Sequence, residues 1–212
     1  MLAMSVSSGL VTTRGAGELA SIQAASDEAL LRAIAASDKR ALQALYLRHK
    51  VRVYRFVLRL ISDAASAEDI VHEVFLDVWR QADGFKAKSR VSTWILAIAR
   101  HKALSALRTR PEQHLDERAA NAIADSADDA ETIAEQQDRG MIVRKCLSQL
   151  SAIHREVLDL VYYHEKSIKE VAQIVGVPAN TVKTRMFYAR KRMDYARKRM
   201  ENLLETAGVG RQ

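Results

Sequence analysis

Between positions 38 and 61, apolar residues recur at helical spacing. Leu42, Leu45, Tyr46, Val53, Phe56, Val57, Leu60 and Ile61 form one buried stripe along a long helix opened by Asp38. A shorter helix precedes it to about position 37, with Asp27 placed to cap it. Opposite the stripe, Arg48, Arg52, Arg55 and Arg59 follow at intervals of four, three and four and share a face, which is either solvated or functional. After the Ser62-Asp63 turn, Ser66 precedes a helix over 67–81. Ile70, Val71, Val74, Phe75, Val78 and Trp79 lie on its apolar side, and Asp69, His72, Glu73, Asp77 and Arg80 on the other. Leu76 sits among those charges. An exposed leucine is often incidental, yet an apolar centre within a polar rim is also how a protein-binding face looks.

Residues 82–91 contain Gly84 and four charged side chains and read as a loop. Ser92 or Thr93 is placed to cap a helix over 94–108. It is apolar at Trp94, Ile95, Ile98, Leu104 and Leu107 and basic at Arg100, Lys102 and Arg108, with Arg110 just beyond and Pro111 marking its end. Residues 111–140 lack aromatics, are acidic and Ala-rich, and have weak apolar periodicity, as in a linker or a marginal helix. As a flexible coil such a segment has a root-mean-square reach of roughly 30 Å and a stretched limit of roughly 100 Å. Beyond it, Ile142, Val143, Cys146, Leu147 and Leu150 suggest one helix. Ser151 opens another, with apolar residues Ile153, Val157, Leu158, Val161 and Tyr162.

From Ser167 the chain reads SIKEVAQIVGVPANTVKTRMFYARKRM. Ser167 and Glu170 have capping-box spacing, Ile168, Val171, Ala172 and Val175 form an apolar face, and Gly176 supplies a sharp turn. A second helix starts near Ala179 or Asn180. Two short helices joined by a Gly-containing turn are the helix-turn-helix signature, whose second helix enters the DNA major groove. Val182, Met186, Ala189 and Met193 form the core side of that helix, so Lys183, Thr184, Phe187 and Tyr188 point away from it. The aromatics are placed to meet thymine methyls, sugars or phosphates. Residues 183–199 hold eight basic side chains and one acid, Asp194, a density suited to phosphates.

Charge supports a polyanionic partner. The formal charge over 212 residues is +7. Residues 111–140 carry nine acids against two bases, a local −7, which leaves +14 on the rest. The one cysteine, Cys146, forms no internal disulfide, which suits a reducing cytoplasm. Residues 1–26 lack the basic start and apolar run of a signal peptide and read as a disordered tail. No stretch approaches the ~20 apolar residues of a membrane span. The expectation is a cytoplasmic protein without membrane insertion.

The second half resembles region 4 of RNA polymerase sigma factors along LSQLSAIHREVLDLVYYHEKSIKEVAQIVGVPANTVKTRMFYARKRM. The first half resembles sigma region 2 in AEDIVHEVFLDVWR and STWILAIARHKALSALR. Both modules in this order, with only a short linker between them, resemble the extracytoplasmic-function group of the sigma-70 family. The implied fold is all-α: a four-helix region 2 domain over 27–110 and a helix-turn-helix region 4 domain over 141–206, joined by the acidic linker 111–140, with a C-terminal tail over 207–212. The implied function is promoter-specific transcription initiation, without catalysis or a cofactor. Its partners are core RNA polymerase, through the clamp coiled coil and the flap, promoter DNA, and an anti-sigma factor acting in a stress or envelope response.

By the same resemblance Asp69, His72, Glu73, Leu76 and Asp77 contact the clamp coiled coil. Phe85, Lys86, Lys88, Ser89, Arg90, Trp94, Arg100, His101 and Lys102 melt and hold the minus-ten element. Unpaired bases are commonly held by stacking and edge contacts, with basic residues along their backbone. Asn180, Thr181, Lys183, Thr184, Arg185, Phe187, Tyr188, Arg190 and Lys191 read the minus-thirty-five element as duplex. The chain departs from the family at His72, usually Gln, at His101, usually Asn, and at Ser105, usually Asp. The last two bear on minus-ten preference.

Two other readings stay open on the residues alone. One is a conventional repressor or activator that uses the helix-turn-helix and senses a ligand in its first half. The other is a nucleic-acid enzyme such as a recombinase, although no nucleophile or facing carboxylate cluster supports it. Cys146, His154 and His164 match no common zinc spacing, so no metal is expected.

Overall fold

The computed structural model describes residues 24–109 and 150–206, together with 22 and 147, and side chains as far as 198. The tail 1–21, the linker 111–140, the expected helix at Ile142, Val143 and Cys146, and residues 207–212 lie outside the described residues. All regular elements among those described are helical.

The first half holds α1 (Asp27–Ala35), α2 (Lys39–Ile61), α3 (Ala64–Gln81), a 3-10 turn (Ala82–Gly84) and α4 (Val91–Thr109). Ser26, one residue before the expected Asp27, is the N-cap of α1: its hydroxyl accepts from Ala29 N–H. Asp27 is thereby the first helical residue. Its carboxylate turns to α2, where it meets Arg48 at 2.5 Å and His49 Nε2 at 2.7 Å. Those partners, His49 foremost, hold it below the usual carboxylate range against the opposing effect of burial. Asp38 caps α2 as the sequence predicts.

Helix α3 starts three residues earlier than 67. Asp63 accepts from the Ser66 N–H, so Asp63 is the cap and Ser66 belongs to the first turn. Ser62 takes the left-handed conformation that ends α2 and turns the chain there. Helix α4 also starts early, at Val91, with the Arg90 carbonyl accepting from Thr93 and Trp94 N–H. Ser92 and Thr93 are consequently first-turn residues whose hydroxyls are available for other contacts.

Packing follows the predicted stripes of α2 and α3, whereas in α4 only Ile95 of the expected stripe is buried, with Val91 and Leu96, and Trp94, Ile98, Leu104 and Leu107 are half-buried. Leu45, Val53, Phe56 and Val57 of α2, Ile70, Val71, Val74, Phe75 and Val78 of α3, and Ile95 of α4 are buried in one apolar cluster. Ala99 and Ala103 of α4 are fully buried, letting that helix approach its neighbours closely.

The second half holds α5 (Ala152–Leu158), which runs into a π-helical turn (Asp159–Tyr163), then α6 (Ile168–Val175) and α7 (Ala179–Thr206). The expected apolar side of the helix after Ser151 needs correcting. Ile153 and Tyr162 are 50% and 62% exposed, and Leu160, not among the expected core residues, is fully buried. The π-turn takes more residues per turn than an α-helix, so a regular 3.6-residue count misassigns Leu160 and Tyr162 within it, whereas Ile153 lies before it. The capping box of Ser167 and Glu170 forms in full, and Gly176, at φ 72°, ends α6 in the left-handed conformation that costs glycine no Cβ clash.

The two halves share one continuous core. Helix α4 packs against α6, and Phe56 meets the His164 ring edge-on at 5.5 Å.

Candidate polymerase and nucleic-acid interfaces

Helix α3 places Asp69, His72, Glu73 and Leu76 together in solvent, with Leu76 51% exposed amid charge. Asp77 is at the edge of this face. The ring of His72 stacks over Tyr46 at 6.3 Å, which anchors it. Lys102, expected to face minus-ten DNA, reaches back from α4 to Glu73 at 3.2 Å and Asp77 at 2.9 Å. Burial works against its charge, but hydrogen bonds to both carboxylates outweigh it and raise its pKa. The structure therefore joins Lys102 to the acidic face of α3.

The loop after the 3-10 turn holds Lys86 and Lys88 exposed and Ala87 at φ 52°, a left-handed tip on a residue with a Cβ. Phe85 folds back onto Trp94, with ring centroids 5.2 Å apart. These two rings, Lys86, Lys88 and Ser89 are thus brought together, and His101 lies exposed further along α4.

Two members of the expected minus-ten set, Arg100 and Arg90, are engaged by the second half, as are Ser92 and Thr93 beside them, which were not in that set. Arg100 donates from Nε to Glu156 Oε1 at 2.6 Å and from Nη2 to Oε2 at 3.3 Å, a bidentate pair. Thr93 donates its hydroxyl to Glu170 at 2.9 Å, and Arg90 approaches the same carboxylate at 3.9 Å from a largely exposed position. Buried Lys166 donates to the Ser92 hydroxyl at 2.6 Å. Burial, with Arg90 and Arg52 nearby, lowers the Lys166 pKa although Glu170 opposes this. Desolvation alone would raise the Glu170 pKa, but donors on Ser167 and Thr93 hold it below the usual range.

The basic face of α2 meets the same neighbour. Arg55 bonds the Tyr163 hydroxyl and Arg59 pairs with Asp159. His164 Nε2 lies 3.4 Å from Asp159 Oδ2, yet neither ring nitrogen has a hydrogen-bond partner among the described residues. Burial, reinforced by Arg59, Lys166 and Arg52, lowers its pKa to about 3, so the ring is neutral. Contact with Asp159 does not charge it, because Arg59 already neutralises that carboxylate.

Sequence reasoning missed Glu156, Tyr163, His164 and Lys166 as contact residues. It read Glu170 only as part of a helix cap. Nothing in their spacing marks them, since the partners stand 56 to 108 positions away.

Helix α7 matches its expected register. Val182 and Ala189 are fully buried and Met186 nearly so, while Lys183, Thr184, Phe187 and Tyr188 face solvent, the two aromatics 61% and 52% exposed. Asn180 is exposed and Thr181 and Arg185 half-buried. Thr184 bonds back to the Asn180 carbonyl at 3.0 Å, and Arg190 lies over the Tyr162 ring. Lys191 is exposed on the following turn. No group of three or more metal-ligating side chains occurs among the described residues.

This is a helix-turn-helix domain packed on a four-helix domain that bears an acidic face around an exposed leucine. The family model Sigma-70 region 2 matches residues 45–111, and Sigma-70, region 4 matches residues 140–193. The ECF RNA polymerase sigma factor SigK of Mycobacterium tuberculosis is 32% identical over 164 residues, covering 75% of this chain and 87% of that protein. SigK of Mycobacterium ulcerans is 32% identical over 170 residues, covering 74% and 86%. Among solved structures, the sigma factor RpoE with the anti-sigma factor NepR from Bartonella quintana shares 26% identity at a TM-score of 0.54, covering 72% of this chain and 94% of that one. CnrH in complex with the cytosolic domain of CnrY has a TM-score of 0.59 at 21% identity, covering 80% and 95%, and shows the shared fold. The chain belongs to the sigma-70 family of RNA polymerase sigma factors, in its extracytoplasmic-function group. It directs promoter-specific transcription initiation. No helix among the described residues is long and apolar enough to cross a membrane.

Proposed function

We propose that three surfaces carry this function. The α3 face of Asp69, His72, Glu73, Leu76 and Asp77 docks on the polymerase clamp coiled coil. The loop over 85–90, with Trp94, Arg100 and His101, holds the melted minus-ten strand, and α7 reads the minus-thirty-five duplex. The observation that carries the assignment is the register of α7: with Val182, Met186 and Ala189 buried, Lys183, Thr184, Phe187 and Tyr188 are presented as one row for a major groove. The protein acts in the cytoplasm as a non-catalytic subunit. An anti-sigma factor restrains it, a reading supported by the RpoE relative, whose structure is a complex with NepR.

Replacing Leu76 by Asp tests the clamp face. Leu76 is half in solvent, so the fold should survive, while core-polymerase affinity measured by a competition assay should fall by roughly five- to thirtyfold, on the scale of ~1–2 kcal/mol for an interface anchor. Unchanged affinity with unchanged helical content would refute the assignment.

A further inference from the structure

We infer that the free chain holds itself closed. Glu156 and Glu170 of the second half occupy Arg100 and approach Arg90, two cations of the first half that the minus-ten strand needs, and Glu170 also holds the neighbouring Thr93, so the halves must separate before that element is read. This rests on the minus-ten assignment above. Arg100 grips the Glu156 carboxylate with the planar fork it would offer a phosphate. The Thr93 hydroxyl donates a hydrogen bond to Glu170, and the Ser92 hydroxyl accepts one from Lys166. The carboxylates stand where phosphate oxygens of a bound strand would be, and they belong to the other DNA-reading domain.

Distance makes the closed form incompatible with a promoter. Two elements whose names place them about 25 base pairs apart, at ~3.4 Å per pair, lie roughly 85 Å apart. The longest helix of the first half, α2, has 23 residues and measures about 34 Å, and the two halves are in direct contact. They cannot reach both elements while docked. The 40 residues between Thr109 and Leu150 extend to roughly 130 Å, which permits separation.

The closure is one-sided. Leu76 and the α7 row stay exposed, and so do Lys86 and Lys88 at the loop tip. Polymerase can therefore engage α3 first, and its contacts then favour the open form. Opening exchanges carboxylate partners of Arg100 and Thr93 for phosphates, so it strands no buried cation once DNA is present.

The test uses the full-length chain with spin labels at Gln43→Cys and Lys169→Cys in a Cys146→Ser background, both label sites being exposed. Free protein should give one short, narrow distance, which lengthens by tens of ångströms when core polymerase is added. A long or broad distance in the free chain overturns the docking. In Glu156→Gln/Glu170→Gln, where Gln at the third helical position still completes the Ser167 capping box, the distance should broaden. Affinity for a short randomised single-stranded DNA, without polymerase, should rise about tenfold, as for an open form populated near ~10% in the parent.

Opening without that gain overturns the occlusion and leaves the docking intact. Arg100→Ala made in the opened variant separates this from the assignment beneath it: unchanged DNA binding there would remove Arg100 from the minus-ten face. A charge exchange, Arg100→Glu with Glu156→Arg, should restore the short distance that Arg100→Glu alone abolishes. Failure to restore it would remove this ion pair from the latch.

Discussion

The row on α7 and the minus-ten surface, where Arg100 of α4 has Thr93 beside it, are kept in opposite states. Phe187 and Tyr188 stand in solvent beside Lys183 and Thr184, while Arg100 and Thr93 are bound by carboxylates of the other half. The difference follows from what each surface reads. A helix that enters an intact duplex can be presented ready-made. A surface for a melted strand has no ligand until polymerase opens the DNA, and buried polar groups without a ligand need substitutes. Acidic side chains of the neighbouring domain provide them.

The largest effect should come from Phe56→Ala. Phe56 is 1% exposed in the core of the first half, and its ring also meets His164 of the second. We expect a loss of about 3–5 kcal/mol in urea unfolding. Weakened docking should be visible in the same spin-label distance, and a change in one half alone would contradict the shared core.

Lys183→Ala breaks the other side of the comparison. Holoenzyme should lose about tenfold or more in affinity for the minus-thirty-five duplex, on the ~1–3 kcal/mol scale of a lost base-edge contact. The distance between the halves should not move; if it does, α7 is not independent of the latch.

Acid should weaken the docked surface through His164, and His154, whose pKa burial and the nearby Arg192 and Arg185 also lower, adds a slope of the same sign. The His164 pKa is lowered from 6.5 to about 3, so the folded, docked form favours the neutral ring while the unfolded chain takes up a proton below pH 6.5. Its stabilisation is complete above pH 6.5 and is lost as pH falls towards 3, at up to about 1.4 kcal/mol per pH unit. Arg59, Arg52 and Lys166 face the ring and add to this penalty, while Asp159, paired with Arg59, does not relieve it. His164→Phe should flatten the slope of unfolding free energy between pH 6.5 and 5. An unchanged slope would place the titration elsewhere.

Much of the architecture was legible in local pattern. Ser167, Glu170 and Gly176 carry their own geometry, and the intervals among Val182, Met186 and Ala189 fixed which side of α7 is buried. Helix starts were read late where a hydroxyl just inside the helix looked like the cap: Ser66 in place of Asp63, and Ser92 or Thr93 in a helix that starts at Val91 from the Arg90 carbonyl. Tyr162 was misread because the π-turn shifts the helical phase, whereas Ile153 lies before that turn, in the first turn of α5, and is exposed for a reason the phase shift does not supply. The latch was invisible for a different reason. A glutamate that caps its own helix and also binds a threonine 77 positions away looks in sequence like a cap only.

The most direct test of the account is run-off transcription with purified core polymerase on the upstream regions of the source genome. We expect no promoter-specific binding by the free chain, specific transcripts from the reconstituted holoenzyme, and loss of those transcripts with Leu76→Asp. Tight, sequence-specific duplex binding by the free chain, with no transcript from any promoter when polymerase is added, would contradict it.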